Sequence, residues 1–292
     1  MSDIIDAPSP FHTGERQAQR LAGVSTPTAL GIRPFMPEQH RDFFALLPYV
    51  LIAARDGTGW PVPTMLSGLP GFIESPNPTT LRMALMADPY DPTRALLRAG
   101  AEFGLLGLDF STRRRNRANG HVVAAGDRVL TLAVEQSFGN CPKYINLRDA
   151  TWHGAVAPAV PEHFTGLDEE ARALVHRADT FFIASGSETG LDISHRGGSA
   201  GFVRIDGETL VVPDYRGNRF FNTLGNLLLD PRASLLFVDF ERGNTLVLRG
   251  RVAIDWADAE ALPGAERVWR FRVDGGRRRR EVLPLRWKER AA

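Results

Sequence analysis

Gly71-Phe72-Ile73 recurs 130 residues later as Gly201-Phe202-Val203, and this spacing organises the whole chain. At the same offset Leu105-Leu106-Gly107-Leu108-Asp109-Phe110 recurs as Leu235-Leu236-Phe237-Val238-Asp239-Phe240. Asn119-Gly120-His121-Val122 likewise matches Arg249-Gly250-Arg251-Val252, and Thr93 and Leu97 match Thr223 and Leu227. Separated blocks in one register are hard to obtain by chance. A period this long marks a duplicated domain, because solenoid repeats are far shorter. The expected organisation is an arm over residues 1–33, a first copy over 34–150, a linker over 151–165 around Pro158 and Pro161, and a second copy over 166–292.

The second copy is the easier to read. Thr180 to Ser185 is β-branched and aromatic, hence a strand. Gly201 to Ile205 and Thr209 to Pro213 flank Asp206-Gly207, a tight-hairpin pair. Residues 218–229 fit a helix capped by Asn222 or Thr223 and ended by Asp230-Pro231. Ser234 to Phe240 and Thr245 to Ile254 are strands. Amphipathic helices are expected over 167–178 and, behind Pro37, over 37–47. A handful of strands with one helix per copy makes the fold class mainly β, a small barrel with helices. Such a barrel leaves edges that a second copy can cover.

The 35 basic and 34 acidic side chains leave a net charge of +1, no field to hold nucleic acid or an anionic membrane. The longest apolar run, Phe43 to Ala54, is too short for a bilayer, and the N-terminus lacks the pattern of a signal peptide. A cytoplasmic protein is the expectation. One cysteine, Cys141, makes neither an internal disulfide nor a zinc cluster, and the histidines show no ligand spacing, so no metal site is expected. Gly197-Gly198-Ser199-Ala200-Gly201 matches a hydrolase elbow, but a strand follows it where the elbow needs a helix. The basic runs Arg113–Arg117 and Arg277–Arg280 lack interleaved aromatic residues and read as solvated strand ends.

Three segments carry the chemistry. Asp192-Ile193-Ser194-His195-Arg196-Gly197-Gly198 sets a hydroxyl, an imidazole and a guanidinium beside glycines, a composition suited to phosphate. Asp214 to Asn226 gathers arginines, amides and a hydroxyl at a helix start, where free N–H groups favour an anion. Gln136-Ser137-Phe138-Gly139-Asn140-Cys141-Pro142-Lys143-Tyr144-Ile145 offers a polar lip. The matching stretches of the first copy, Thr64 to Gly71 and Asp88 to Leu96, are plainer, which implies one retained site.

In these segments, with Gly201-Phe202-Val203-Arg204, Phe221 to Leu227, Leu235 to Phe240, Pro10-Phe11-His12, Gly14-Glu15-Arg16 and Pro284-Leu285-Arg286-Trp287, the chain resembles the pyridoxamine 5′-phosphate oxidase-related, FMN-binding split-barrel proteins, in a bacterial branch with two barrels per chain. The resemblance implies a tandem split barrel with FMN between the barrels. It places the phosphate on His195, Arg196, Asn222 and Thr223, within a cofactor set of Ser194, His195, Arg196, Gly197, Asn218, Asn222, Thr223, Asn226, Gln136, Asn140 and Lys143. Asn222-Thr223 replaces the Arg-Lys of the oxidases, which counts against pyridoxamine phosphate as substrate. The implied activity is an FMN-dependent oxidoreductase on a small molecule, reduced by a separate electron donor; no catalytic side chain is assigned. A flavin carrier without turnover and a haem-binding or haem-degrading protein with His195 as ligand are the alternatives, FAD or a deazaflavin are rival cofactors, and a homodimer is compatible with the fold.

Overall fold

The computed structural model describes residues 9–25, 31–257 and 262–290; residues 1–8 and 26–30 of the expected arm, 258–261 and the C-terminal pair of the second copy lie outside them. The first half runs α1 (Thr13–Leu21), α2 (Glu38–Leu46), β1 (Tyr49–Arg55), β2 (Pro61–Ser67), β3 (Ile73–Asn77), β4 (Thr80–Ala84), a single 3-10 turn at Arg94–Leu96, β5 (Glu102–Asp109), β6 (Arg114–Ala125), β7 (Val129–Gly139) and β8 (Arg148–Trp152). The second runs β9 (Glu162–Thr165), α3 (Glu169–Arg177), β10 (Thr180–Ser187), β11 (Gly190–Gly197), β12 (Arg204–Asp206), β13 (Thr209–Asp214), α4 (Asn222–Leu229), β14 (Arg232–Asp239), β15 (Asn244–Asp255), β16 (Arg267–Arg279) and β17 (Leu285–Glu289).

The two sheets repeat one topology. Strand order is β2-β1-β5-β6-β7-β4-β3 in the first and β11-β10-β14-β15-β16-β13-β12 in the second, with β9 added to β16. A bulge interrupts β6 between Asn119 and Gly120 and β15 between Arg249 and Gly250, 130 residues apart. At each bulge a Cβ would collide with the neighbouring strand, 2.0 Å from the Ala133 carbonyl oxygen or 2.1 Å from that of Arg272. Glycine is therefore required for the close approach in both copies.

Strand alternation sorts the apolar residues into three cores. On β1, Val50, Ile52 and Ala54 face the interior of the first barrel, while Tyr49, Leu51 and Ala53 face the other barrel. On β10, Phe181 and Ile183 fill the second barrel, while Phe182 and Ala184 meet the first. The third core also holds Phe110, Leu191, Leu236 and Trp287. These strands read as continuous apolar runs because both faces are buried.

Some boundaries moved. The stretch expected to be a linker contains β9 and the end of β8, which pairs with β17. Helix α4 starts at Asn222 instead of 218, because Arg219 and Phe221 both take the left-handed backbone at φ 63°. No side chain caps it; Asn222 and Thr223 are spent on other partners. Gly201 to Val203 forms a turn, and β12 begins only at Arg204. The run Arg277–Arg280 is not simply solvated. Arg278 and Arg279 are buried, paired with Asp168 and Glu170 and with Asp88 of the first half.

Candidate functional site

Antiparallel pairing of β10 with β11 sets Ser194 and Arg196 opposite Ile183 and Phe181. Strand β11 lies against β5 and β6 of the first half, so its polar face closes on residues of the other copy. The cleft between them is lined by Ser194, His195, Arg196 and Gly197 of β11, Arg115 and Arg117 of β6, Asn140, Lys143 and Tyr144 beyond β7, Asp214, Tyr215, Gly217, Asn218 and Arg219, and Asn222 and Thr223 at the start of α4. Its solvent-accessible space is about 110 Å³, and it opens to the surface. Asn226 and Gln136 line an adjoining cavity instead. Their amides serve protein partners: Asn226 donates to Asp192 at 2.9 Å, and Gln136 accepts from Asn119 at 3.3 Å.

Arg115 and Arg117 are the contributors that the sequence reading missed. Alternation on β6 turns both towards the cleft, while Arg114, which precedes them on the opposite face, packs over Phe43. That period of two inside Arg113–Arg117 was the signal available. Arg117 pairs with Asp192 at 2.6 Å and donates to Ser194 Oγ at 2.5 Å. Ser194 Oγ also accepts from Thr223 at 3.0 Å, so its own proton is left to donate. Arg267 is matched by Asp214 at 2.5 Å.

Two guanidinium groups are not matched in this way. Among the described residues no carboxylate pairs with Arg115, whose Nε donates to the Cys141 carbonyl at 2.8 Å. Arg196 has only a share of Asp214 at 3.9 Å. Burial, followed by the charges of Arg196 and Arg117, pulls Arg115 down to about 10. Burial also lowers Arg196 despite Asp214, with Arg117 and Arg267 adding to the effect. His195 is held well below its ordinary value by burial and then by Arg115 and Arg196, so it is neutral. Arg115 lies 3.1 Å from His195 Nδ1. Arginine only donates, hence Nδ1 accepts and the ring proton sits on Nε2.

That Nε2–H is buried with no partner, as are Arg196 Nε, Arg117 Nε and Asn140 Nδ2. Buried donors without acceptors are costly, and four of them around one cleft call for an acceptor-rich, anionic ligand. The mouth is framed by Tyr144 and Tyr215, stacked with centroids 5.1 Å apart. Left-handed backbone at Tyr144, Arg219 and Phe221 concentrates strain in these rims.

The pyridoxamine 5′-phosphate oxidase family model matches residues 167–285, the half that supplies β11 and α4. These residues form a pyridoxamine 5′-phosphate oxidase-related domain. Among solved structures, the chain is similar to HupZ of Group A Streptococcus, at 17% identity over 37% of this chain and 89% of that one, TM-score 0.30. It is also similar to HutZ of Vibrio cholerae, described as a heme storage protein (12%, 39% and 95%, TM-score 0.29), and to a FAD-binding protein of Mesorhizobium loti (12%, 42% and 98%, TM-score 0.31). No curated protein matches the chain.

The oxidase-related domain keeps the polar half of a pseudo-symmetric pair. By the 130-residue offset, Thr64-Met65-Leu66-Ser67 stands where it has Ser194-His195-Arg196-Gly197, and Thr245 and Val247 stand for Arg115 and Arg117. The counterpart pocket is lined by Met65, Leu66, Leu85 and the connecting residues Val156 to Pro158. Arg279 secures that connection, donating to the Ala159 carbonyl at 3.0 Å and pairing with Asp88 at 2.6 Å. Among the described residues no helix is long and apolar enough to cross a membrane.

Proposed function

We propose that the cleft binds FMN and that the protein is a cytoplasmic oxidoreductase acting on a small molecule. The observation that carries this reading is the pair Arg115 and Arg196, held together in the cleft without adequate carboxylate partners. A phosphate monoester carries a charge of about −1.5 to −2 near neutral pH. It would answer both guanidinium groups and accept from His195 Nε2 and Asn140. Asn222 and Thr223 do not suit the phosphate, since their side chains already serve Glu15 and Ser194. They are better placed for the rest of the cofactor. FMN would supply its own two-electron chemistry; the protein's part is to bind, orient and shield it. The reading takes a separate molecule as the electron donor.

His195 argues against the haem alternative. With Arg115 on Nδ1, its Nε2 carries the proton and has no lone pair for iron. The deciding experiment is an absorbance spectrum of the purified protein with mass analysis of the molecule released by heat. Flavin bands and an FMN mass are expected. A colourless protein that takes up no added FMN would overturn the reading, and a Soret band or deazaflavin uptake would redirect it.

A further inference from the structure

Helix α1 belongs to neither barrel, yet it brings a carboxyl group from the adjoining cavity onto a side chain of the cleft. It crosses α4 at closest approach where Gly14 meets Gly225; a Cβ on Gly14 would lie 2.2 Å from the Gly225 carbonyl oxygen. This contact lets Glu15, next in sequence, reach beneath the start of α4, where its side chain is 3% exposed. One oxygen, Oε2, accepts from the His12 backbone N–H at 2.9 Å, in a capping box that fixes the carboxyl plane. The other, Oε1, accepts from the Asn222 side-chain Nδ2 at 2.5 Å. Asn222 is 7% exposed and lines the cleft.

An amide can meet a carboxyl group in two ways. An ionised Glu15 only accepts, so Asn222 must give it Nδ2 and turn Oδ1 elsewhere. A Glu15 protonated at Oε1 can donate to Oδ1, and Nδ2 is released. We propose that Glu15 is a positioning residue of the cleft, whose proton decides whether Asn222 offers an N–H or a carbonyl oxygen to the bound ligand. The meaning of the switch for a cofactor rests on the FMN reading; the switch itself does not.

The surroundings favour the protonated form near neutral pH. Burial and the Asp192 carboxylate of β11 push Glu15 up to about 8, against the hydrogen bonds from His12 and Asn222 and the charge of Arg117 on β6. On its own helix, His12 is held below its ordinary value by burial and by Arg16. From α4 the facing groups are the uncharged amides of Asn222 and Asn226. Raising the pH through about 8 therefore turns Asn222 from donor to acceptor.

The test follows the Asn222 side-chain amide by nitrogen-edited NMR of the full chain from about pH 7 to about pH 9.5, assigned by its disappearance in Asn222→Ala. The resonance is expected to titrate near the pH at which Glu15 ionises and to be static in Glu15→Gln, which keeps shape and neutrality. FMN affinity over the same range, above the phosphate's own titration, should change about three- to tenfold, the worth of one hydrogen bond. It should stay flat in Glu15→Gln and in Asn222→Ala. A static Asn222 resonance in the wild type, or the same pH step surviving in Glu15→Gln, would overturn the proposal. If the amide titrates as expected but no FMN binds at any pH, the switch stands and the cofactor reading falls.

Discussion

Arg115 shows how one side chain can change the reading of a site. It lies in a basic run of the first half, yet its guanidinium reaches His195 of the second. Arg115→Ala is expected to weaken FMN as much as Arg196→Ala, each about 10- to 100-fold, the loss for one hydrogen-bonded charge. Fluorescence titration would measure both against exposed Arg82→Ala, which should bind as the wild type does. Arg279 is unsuitable as that control because it is buried on Asp88. Two buried groups also set opposite limits on stability. Glu15 keeps its proton to about 8 when folded, but loses it near 4.5 when unfolded. Its contribution is thus full below 4.5 and lost as pH rises towards 8. His195 is depressed in the fold, so stability is present above 6.5 and lost as pH falls below it. Urea midpoints across this range should show Glu15→Gln flattening the alkaline decline and leaving the acid one.

At the scale of elements, the decisive contact is α1 on α4. Gly14→Ala puts a methyl group against the Gly225 carbonyl and the Leu229 side chain at the helix crossing. A destabilisation of about 1–3 kcal/mol is expected, as for an overpacked core. Faster proteolysis of the arm and weaker FMN binding should accompany it; unchanged cleavage would mean that α1 holds by other contacts. Phe11, stacked edge-on against Phe220 at 5.4 Å, is one such contact. The β-strands were legible from their composition because β-branched and aromatic runs announce them. The start of α4 was not. Its residues are ordinary helix formers, and only the left-handed turns at Arg219 and Phe221 delay it.

Across the whole molecule, the third core joins the barrels. Leu51, Phe110 and Tyr49 pack with Phe182, Leu236 and Trp287, and each half alone would expose this face to water. Unfolding in urea should therefore be one transition, with tryptophan fluorescence and far-UV circular dichroism coinciding. Two separated transitions would mean that the barrels are independent. Because the counterpart pocket has Met65 and Leu66 where the cleft has His195 and Arg196, FMN should saturate at one per chain, as read by absorbance against protein concentration. Sedimentation would test the homodimer, which the cleft does not need.

The 130-residue repeat pointed to two copies of one β-rich unit, and the two sheets share one strand order, since strand residues and bulge glycines recur wherever the same local geometry recurs. Local composition likewise marked Ser194 to Gly197 and the approach to α4 as the polar half. What sequence could not decide was which distant groups complete that half. Arg115, Arg117 and Glu15 reach the site through strand alternation across the barrel interface and through a helix crossing, contacts between residues far apart in the chain. Tertiary structure also settled which charges are already neutralised. A basic run reads the same whether its arginines meet carboxylates, as Arg278 does, or meet one another in a cleft, as Arg115 and Arg196 do.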